Sequence, residues 1–145
     1  MALPAKPHVE DGLLVIHTDG GSRGNPGPAA SGYVIGGLSF GKYIGTATNN
    51  DAEYQAIVMS LHQAKALLGQ TKAKQTRLEV RMDSELACKQ LNHEYRLKDP
   101  QIQKHFIEIW NSMLDFKEVT FVHVRREFNK DADAAVNRVL DEAGY

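Results

Sequence analysis

The sequence contains one cysteine, Cys88, among 145 residues, and it has no long hydrophobic run. A single cysteine cannot form an intrachain disulfide, which favours a reducing, cytoplasmic setting. It also cannot build a thiolate zinc site, and the six histidines are scattered along the chain. Because no apolar segment approaches the length of a membrane span, no membrane partner is expected.

A strong excess of charge of either sign is also missing. The formal net charge is −1, which argues against non-specific coating of nucleic acid but allows a local basic face. The chain length predicts one domain over residues 1–145, with residues 1–11 as a short lead-in and a monomer as the default. Residues 1–7 are too short and too interrupted by proline to be a signal peptide.

Apolar patterning predicts five strands and four helices. The strands are expected at residues 13–19, 31–35, 38–46, 78–82 and 119–124. The helices are expected after the capping residues 48–51, at 85–94, at 102–114 and after Asn129, with residues 69–76 as a polar connection. A hairpin followed by strand–helix crossovers indicates an α/β fold with helices packed on a mixed sheet.

The helices carry apolar stripes that mark their predicted core faces. Ala56, Ile57, Ser60, Leu61, Ala64, Leu67 and Leu68 form the stripe of the first helix. Ile102, Phe106, Ile109, Trp110 and Met113 form that of the third. Ala132, Ala135, Val136, Val139 and Leu140 form that of the last, whose N-terminus the Asn129 side chain can cap.

Residues 17–28 hold four glycines and two prolines directly after the first predicted strand. Glycine allows positive φ and close approach of a ligand to the main chain, so a turn lined by Ser22, Arg23 and Asn25 is expected just after Asp19. A plain hairpin turn explains this composition equally well. The remaining acidic residues decide between these two interpretations.

Acidic residues recur at positions that the predicted topology brings together. Asp19 and Asp83 each follow a strand, Glu53 lies on the buried face of the first helix, and Asp131 or Asp133 begins the last one. If the first and fourth strands pair in parallel, Asp19 and Asp83 lie at the same carboxyl edge. Clustered carboxylates repel one another unless hard divalent cations such as Mg²⁺ bind between them.

Each acid alone has an ordinary explanation. Asp19 and Asp83 could cap turns, Glu53 could complement a helix dipole, and Asp131 and Asp133 could begin a solvated helix. These explanations fail jointly, because they must account for two aspartates at equivalent strand ends and for a glutamate on an apolar face. Two ions roughly 3.5–4 Å apart would suit an in-line phosphoryl displacement.

Four motifs, in this order, resemble type 1 ribonuclease H. They are Thr-Asp-Gly-Gly-Ser-Arg-Gly-Asn-Pro-Gly-Pro at 18–28, Thr-Asn-Asn-Asp-Ala-Glu at 48–53, Met-Asp-Ser-Glu at 82–85 and Asn-Lys-Asp-Ala-Asp at 129–133. The similarity runs from about residue 13 to residue 141. It implies the ribonuclease H-like fold, a five-stranded mixed sheet of order 3-2-1-4-5 flanked by helices.

The resemblance also implies an activity, which is hydrolysis of the RNA strand of RNA–DNA hybrids with 3′-hydroxyl and 5′-phosphate ends. Asp19, Glu53, Asp83 and Asp133 match the family's catalytic, metal-binding acids, and Asp133 is preferred over Asp131 because Asn129 and Ala132 fit the pattern Asn-x-x-Ala-Asp. Two Mg²⁺ ions are implied, with Mn²⁺ as the substitute. The implied nucleic-acid contacts are Gly20, Gly21, Ser22, Arg23, Asn25, Thr48, Asn49 and Asn50.

Two departures from the family pattern concern substrate binding and proton transfer. Residues 92–100 leave no room for the basic handle of many members, which resembles the shorter archaeal and bacterial branch. Hybrid affinity then depends on Arg96, Lys98, Lys104, Arg125 and Arg126, unless these form an ordinary solvated face. The loop at 125–128 lacks the family's histidine; we expect His123 to be structural and consider Glu127 or bulk water as the substitute.

Alternative functions are a catalytically silent hybrid-binding module and another nuclease or transposase of the same superfamily. An intact set of four acids argues against the first, because a pure binder has no reason to keep repulsive carboxylates. The contact motifs and the lack of an added DNA-binding domain argue against the second. The sequence leaves open whether double-stranded RNA is a further substrate.

Overall fold

The computed structural model describes residues 5–145. Residues 1–4 of the predicted lead-in lie outside this range. The rest of the lead-in contacts the sheet, because the His8 amide donates to the Gly36 carbonyl over 2.9 Å and Glu10 forms a bridge with Leu13. No helix in the described residues is both long enough and apolar enough to cross a membrane.

Five strands form one mixed sheet in the order β3-β2-β1-β4-β5, as predicted. The strands are β1 (Leu13–Ser22), β2 (Gly27–Ile35), β3 (Leu38–Ala47), β4 (Arg77–Met82) and β5 (Glu118–His123). The first three strands pair antiparallel, and β4 pairs in parallel with both β1 and β5. The predicted hairpin turn at Gly36 and Gly37 joins β2 to β3, and both glycines have positive φ.

The described residues form a short 3₁₀ helix at Arg126–Phe128 and five α-helices, one more than predicted. The α-helices are α1 (Asn49–Leu68), α2 (Gln70–Gln75), α3 (Glu85–Leu91), α4 (Pro100–Met113) and α5 (Lys130–Glu142). The polar connection expected at residues 69–76 was wrong, because it contains α2. This helix buries only Ala73, so the segment has no apolar period from which to predict it.

Two prediction errors concern where strands begin and end. β1 continues through Gly20, Gly21 and Ser22, and β2 already begins at Gly27, so the turn covers only residues 23–26. The glycine content of this segment predicts a longer turn. These glycines instead remain in the ladder, where Gly20 pairs with Ser31 and Gly21 with Ala30.

Capping residues set the starts of three helices. Thr48 accepts a hydrogen bond from the Asp51 amide, Ser84 from the Ala87 amide and Asp99 from the Gln101 amide. Each such cap stabilises its helix by about 1 kcal/mol. α3 ends at Leu91 rather than at the predicted residue 94, and a short loop then leads to α4 with no intervening helix. The described structure is therefore handle-less, as predicted.

The main core lies between the sheet and the helices α1 and α4. Leu14, Ile16 and Val80 of the sheet pack there with Ile57 and Leu61 of α1. Ile102 and Ile109 of α4 are buried as predicted, whereas Trp110 is 62% exposed, so its predicted core position was wrong. The helical spacing places Trp110 next to the stripe but on its solvent side.

The helix α5 packs on the opposite face of the sheet. Its Val136 and Leu140 bury Ala30 of β2, as the predicted apolar stripe requires. Because α1 covers one face and α5 the other, β2 is buried along seven of its nine residues. The two helices therefore bring their N-terminal ends to β1 and β2 from opposite sides.

Candidate active site

Three acidic side chains meet at one edge of the sheet. One carboxylate oxygen from each of Asp19, Glu53 and Asp83 lies within 4.8 Å of the other two. Asp19 is buried, and the other two are half-buried. The parallel ladder between β1 and β4 ends at the pair Thr18 and Met82, so the next residue of each strand is one of the two aspartates. The predicted side-by-side placement of Asp19 and Asp83 is therefore observed.

Glycine at position 20 lets the first turn of α1 approach β1. A Cβ atom at Gly20 would lie 2.2 Å from the carbonyl carbon of Ala52 and 2.3 Å from the amide nitrogen of Glu53. No side chain fits there without displacing backbone. The Ser31 hydroxyl adds a buried hydrogen bond of 2.8 Å to the Ala52 carbonyl. Gly20 and Ser31 together place Glu53 beside Asp19.

A second glycine serves the same purpose for α5. A Cβ atom at Gly32, the ladder partner of Asp19, would lie 2.6 Å from the Ala132 carbonyl oxygen. The first turn of α5 can therefore approach β2 closely, which brings Asp133 towards Asp19. Gly32 was not among the predicted site residues, because a glycine inside a strand indicates a close approach without identifying the approaching segment.

The structure separates the two acids at the start of α5. Asp133 lines the same cleft as Asp19, Glu53 and Asp83, whose volume is about 370 Å³. Asp131 lines two other cavities beside His17, outside this cleft. Of the two acids, Asp133 is therefore the one that lines the carboxylate cleft. Its choice over Asp131 as a metal ligand rested on the motif alone and stays a prediction.

The carboxylates perturb one another strongly. Burial raises the pKa of Asp19 to about 7, the nearby Asp83 and Asp133 contribute to the rise, and a hydrogen bond from the Gly20 amide opposes them. Burial, followed by the charges of Asp19 and Asp83, raises the pKa of Glu53 well above its ordinary value. Without a cation, the cluster binds protons in place of carrying its full negative charge. Such an oxygen-only set suits a hard divalent cation.

One of the cations predicted to contribute to hybrid affinity lies in the carboxylate cleft itself. Arg126, in the turn between β5 and α5, lines the carboxylate cleft, and its charge lowers the pKa of Glu53 against the effect of burial. Glu127, the candidate substitute for histidine, lines a different cavity with Phe128 and Lys130. His123 is exposed at the end of β5. The double arginine at 125–126 was the available signal, although it does not reveal which arginine faces the acids.

The segment before the turn is hydrogen-bonded to the start of α1. The Ser22 amide donates to Asn49 Oδ1 over 2.9 Å, and the Asn49 amide donates to Asn25 Oδ1 over 3.0 Å. The predicted contact residues of these two motifs therefore form one continuous rim. Gly20, Gly21, Ser22, Arg23 and Asn49 also line the carboxylate cleft.

The remaining predicted contact residues lie at the edges of this rim. Thr48 caps α1, and Asn50, two residues further along the chain, is half-buried. Arg23 is oriented by α5, since it donates to Asp141 over 2.7 Å and to Asn137 over 3.3 Å. Among the other predicted cations, Arg96, Lys98, Lys104 and Arg125 are exposed and do not line the cleft.

A protein-family model described as reverse transcriptase-like matches residues 17–139. The Ribonuclease HI of Halobacterium salinarum is 38% identical over 138 residues, which are 91% of this chain and 66% of that protein. A bifunctional protein of Mycobacterium tuberculosis is 35% identical over 90% of this chain and 36% of its own length. The chain thus spans about two thirds and about one third of these relatives.

Solved structures share both the fold and the sequence pattern. The crystal structure of the Halobacterium salinarum ribonuclease H1 gives a TM-score of 0.80 at 38% identity and covers 90% of this chain and 98% of that one. A ribonuclease H1 called LC11, isolated from compost, was solved in complex with an RNA/DNA hybrid. It gives a TM-score of 0.84 at 39% identity and covers 90% of this chain and 98% of that one.

Proposed function

The chain belongs to the type 1 ribonuclease H family, and we propose that it is an endonuclease that hydrolyses the RNA strand of RNA–DNA hybrids. The products are 3′-hydroxyl and 5′-phosphate ends. The observation that carries the proposal is the convergence of Asp19, Glu53 and Asp83, from three distant parts of the chain, within 4.8 Å. A relative with 39% identity that was solved with such a hybrid supports the substrate class.

The four acids have a common role, which is to hold two divalent cations at the edge of the sheet. Asp19 is central, because Asp83 and Asp133 both act on its pKa and Glu53 lies beside it. Mg²⁺ fits this oxygen-only donor set, and Mn²⁺ is the substitute. When bound, such ions activate a water nucleophile and stabilise the leaving oxygen of a phosphodiester.

Within the carboxylate cleft, we assign Arg126 to binding of the substrate phosphate. Its guanidinium is always charged and matches the geometry of a phosphate through paired N–H donors. It lines the same cleft as the acids, where it can hold the non-bridging oxygens of the phosphodiester that is cut.

The rim of Ser22, Asn25 and Asn49 supports recognition of the RNA strand. We assign its amide and hydroxyl groups, together with the Gly20–Gly21 backbone and Glu53, to contacts with ribose 2′-hydroxyls, the groups that distinguish RNA from DNA. Arg23, Thr48 and Asn50 extend the rim and are assigned to the sugar–phosphate backbone. Recognition of shape and hydroxyls without contacts to base edges predicts weak sequence preference.

Three properties of wider scope belong to the same proposed function. The elements from β1 to α5 form one ribonuclease H domain, which acts as a monomer. It acts in the cytoplasm, in line with its single cysteine. Double-stranded RNA is a second candidate substrate, because A-form duplexes also present 2′-hydroxyls across a shallow minor groove.

The test uses end-labelled nucleic acids of one sequence, incubated with the protein in Mg²⁺ and separately in EDTA. The set comprises an RNA–DNA hybrid, double-stranded RNA, double-stranded DNA and single-stranded RNA. We expect cleavage of the hybrid's RNA strand in Mg²⁺ only, with ends that a ligase or kinase assay identifies as 3′-hydroxyl and 5′-phosphate. Tight hybrid binding without cleavage would instead support a silent binding module, and cleavage of the DNA strand would support another nuclease of the superfamily.

A further inference from the structure

The side chain of Asn129 connects α5 to β1. Asn129 is 1% exposed, and both ends of its amide group are hydrogen-bonded. Its Nδ2 donates to the Thr18 carbonyl over 2.9 Å, and its Oδ1 lies 3.2 Å from His17 Nδ1. These bonds join residues more than 100 positions apart in the chain.

The Thr18 carbonyl fixes the orientation of this amide. A carbonyl can only accept, so the Asn129 group facing it must be the NH₂ group. Oδ1 then faces His17, and its partner atom Nδ1 must carry a proton in order to donate. His17 and Thr18 thus hold the Asn129 side chain in one orientation from two sides.

The helix does not use Asn129 as the sequence predicted. A capping side chain would accept a hydrogen bond from an amide of the first turn of α5, and the Asn129 side chain forms no such bond. Since the cap is worth about 1 kcal/mol, its loss must be offset by the buried bonds to β1. The prediction of a capping side chain was wrong because the amide finds these partners.

Each end of this connection is adjacent to a proposed metal ligand. Thr18 directly precedes Asp19, and the Asn129 carbonyl accepts the amide hydrogen bond of Asp133 over 3.2 Å. The path from one carboxylate to the other therefore runs through one side chain and one turn of helix. It contains no flexible loop.

We propose that Asn129, held by His17, is a positioning residue that sets the approach of Asp133 to Asp19 and thereby the affinity of the site for divalent cations. This inference rests on the proposed function, in which these two acids bind metal. Residues that orient metal ligands from one shell further out affect metal affinity about 10- to 100-fold when they are replaced. We therefore expect replacement of Asn129 to weaken metal binding, although Asn129 contacts neither the metal nor the substrate.

Two pairs of variants separate positioning from folding. Asn129→Ala removes both hydrogen bonds, and Asn92→Ala is its matched control. The Asn92 amide likewise joins a helix end to a strand carbonyl, that of Phe121, over 3.1 Å, but it lies outside the cleft. For His17, the pair is His17→Phe, which removes the donor, and His17→Asn, whose Nδ2 takes the position of Nδ1.

The measurement is titration of the full chain with Mn²⁺ by calorimetry, together with the Tm of each variant without metal. We expect Asn129→Ala to weaken Mn²⁺ binding by about tenfold and His17→Phe to weaken it less. His17→Asn should restore wild-type affinity, and Asn92→Ala should lower Tm and leave affinity unchanged. Excess Mn²⁺ should also recover the turnover of Asn129→Ala.

Unchanged Mn²⁺ affinity in Asn129→Ala, with a lowered Tm, would overturn the inference and assign Asn129 a purely structural role. Equal losses of affinity in Asn92→Ala would overturn it as well. A wild-type protein that binds no Mn²⁺, or binds it as well after Asp19→Asn, would refute the proposed function itself. The two failures are therefore distinguishable by the wild-type titration.

Discussion

The backbones of Gly20 and Ala52 are in direct contact, so that a Cβ atom at position 20 would lie 2.2 Å from the Ala52 carbonyl carbon. Asp19 precedes the first of these residues, and Glu53 follows the second. The contact therefore determines how closely two acids from different elements approach each other. Any side chain at position 20 should disturb both the packing of α1 and the site.

Replacing Gly20 with alanine should displace the first turn of α1 from β1, because the clash is with backbone atoms that cannot rotate away. We expect Mn²⁺ affinity to fall by about tenfold, together with a loss of stability of about 1–3 kcal/mol. Calorimetric titration and denaturant unfolding measure the two effects. Gly21→Ala is the control for folding and metal binding, since its Cβ would meet only Val136 at 3.6 Å. Equal behaviour of the two variants would show that close packing at position 20 does not set the site.

The metal-free protein should lose stability as pH rises from about 4 to 7. The pKa of Asp19 is raised from 3.8 to about 7, so the folded state holds a proton that the unfolded state has released, and stability falls with pH across this range. Below pH 4 both states are protonated, and above pH 7 the full destabilisation is present.

Asp19→Asn removes this titration. We expect the variant to be more stable than the wild type at pH 8 in EDTA, by about 1–4 kcal/mol, and the difference to shrink towards pH 4. Saturating Mg²⁺ should stabilise the wild type but not the variant. Chemical unfolding across the pH range provides the test, and a difference that grows towards low pH would contradict the raised pKa of Asp19.

Arg126 and Glu127 are neighbours in the chain with different surroundings. Of these two residues, only Arg126 lines the carboxylate cleft. Arg126→Ala should therefore lower kcat by about 10- to 100-fold, because the positive charge that binds the substrate phosphate is lost. Arg126→Lys should recover part of this rate. Glu127→Gln should leave turnover unchanged. If Glu127→Gln instead lost turnover while Arg126→Ala kept it, the result would support Glu127 as the substitute for the family's histidine.

The loop that replaces the handle should contribute to affinity and not to chemistry. Replacing Arg96 and Lys98 together with alanine is expected to raise KM for the hybrid, leave kcat unchanged, and reduce the slope of log KM against log salt by about 1–2. Lys72→Ala is the control, because the exposed Lys72 lies on α2, before the start of β4, whereas the cleft lies beyond the other end of that strand. An unchanged salt slope in the double variant would identify these cations as a solvated face.

Sequence patterning was sufficient for the strands of a mixed sheet, and the meeting of Asp19 and Asp83 follows from the parallel pairing of β1 with β4. The strand order 3-2-1-4-5 was predicted from the family resemblance. Sequence patterning failed where contacts with distant parts of the chain determine the local structure. The segment Gly20–Ser22 stays in the sheet because β2 pairs with it, and α2 forms although it has only Ala73 to bury. Likewise, Asn129 has the residue type of a helix cap, but its partners Thr18 and His17 come from a distant strand.

The central claim is that the protein cleaves the RNA strand with the help of divalent cations that this acid cluster holds. The rate of hybrid cleavage by Asp19→Asn tests this claim most directly. The variant keeps the size of the side chain and removes the charge that the ions need. We predict that the wild type cleaves in Mg²⁺ and not in EDTA, and that the folded variant is slower by a factor on the order of 10³ or more. Cleavage by Asp19→Asn at the wild-type rate, or cleavage by the wild type in EDTA, would contradict the account.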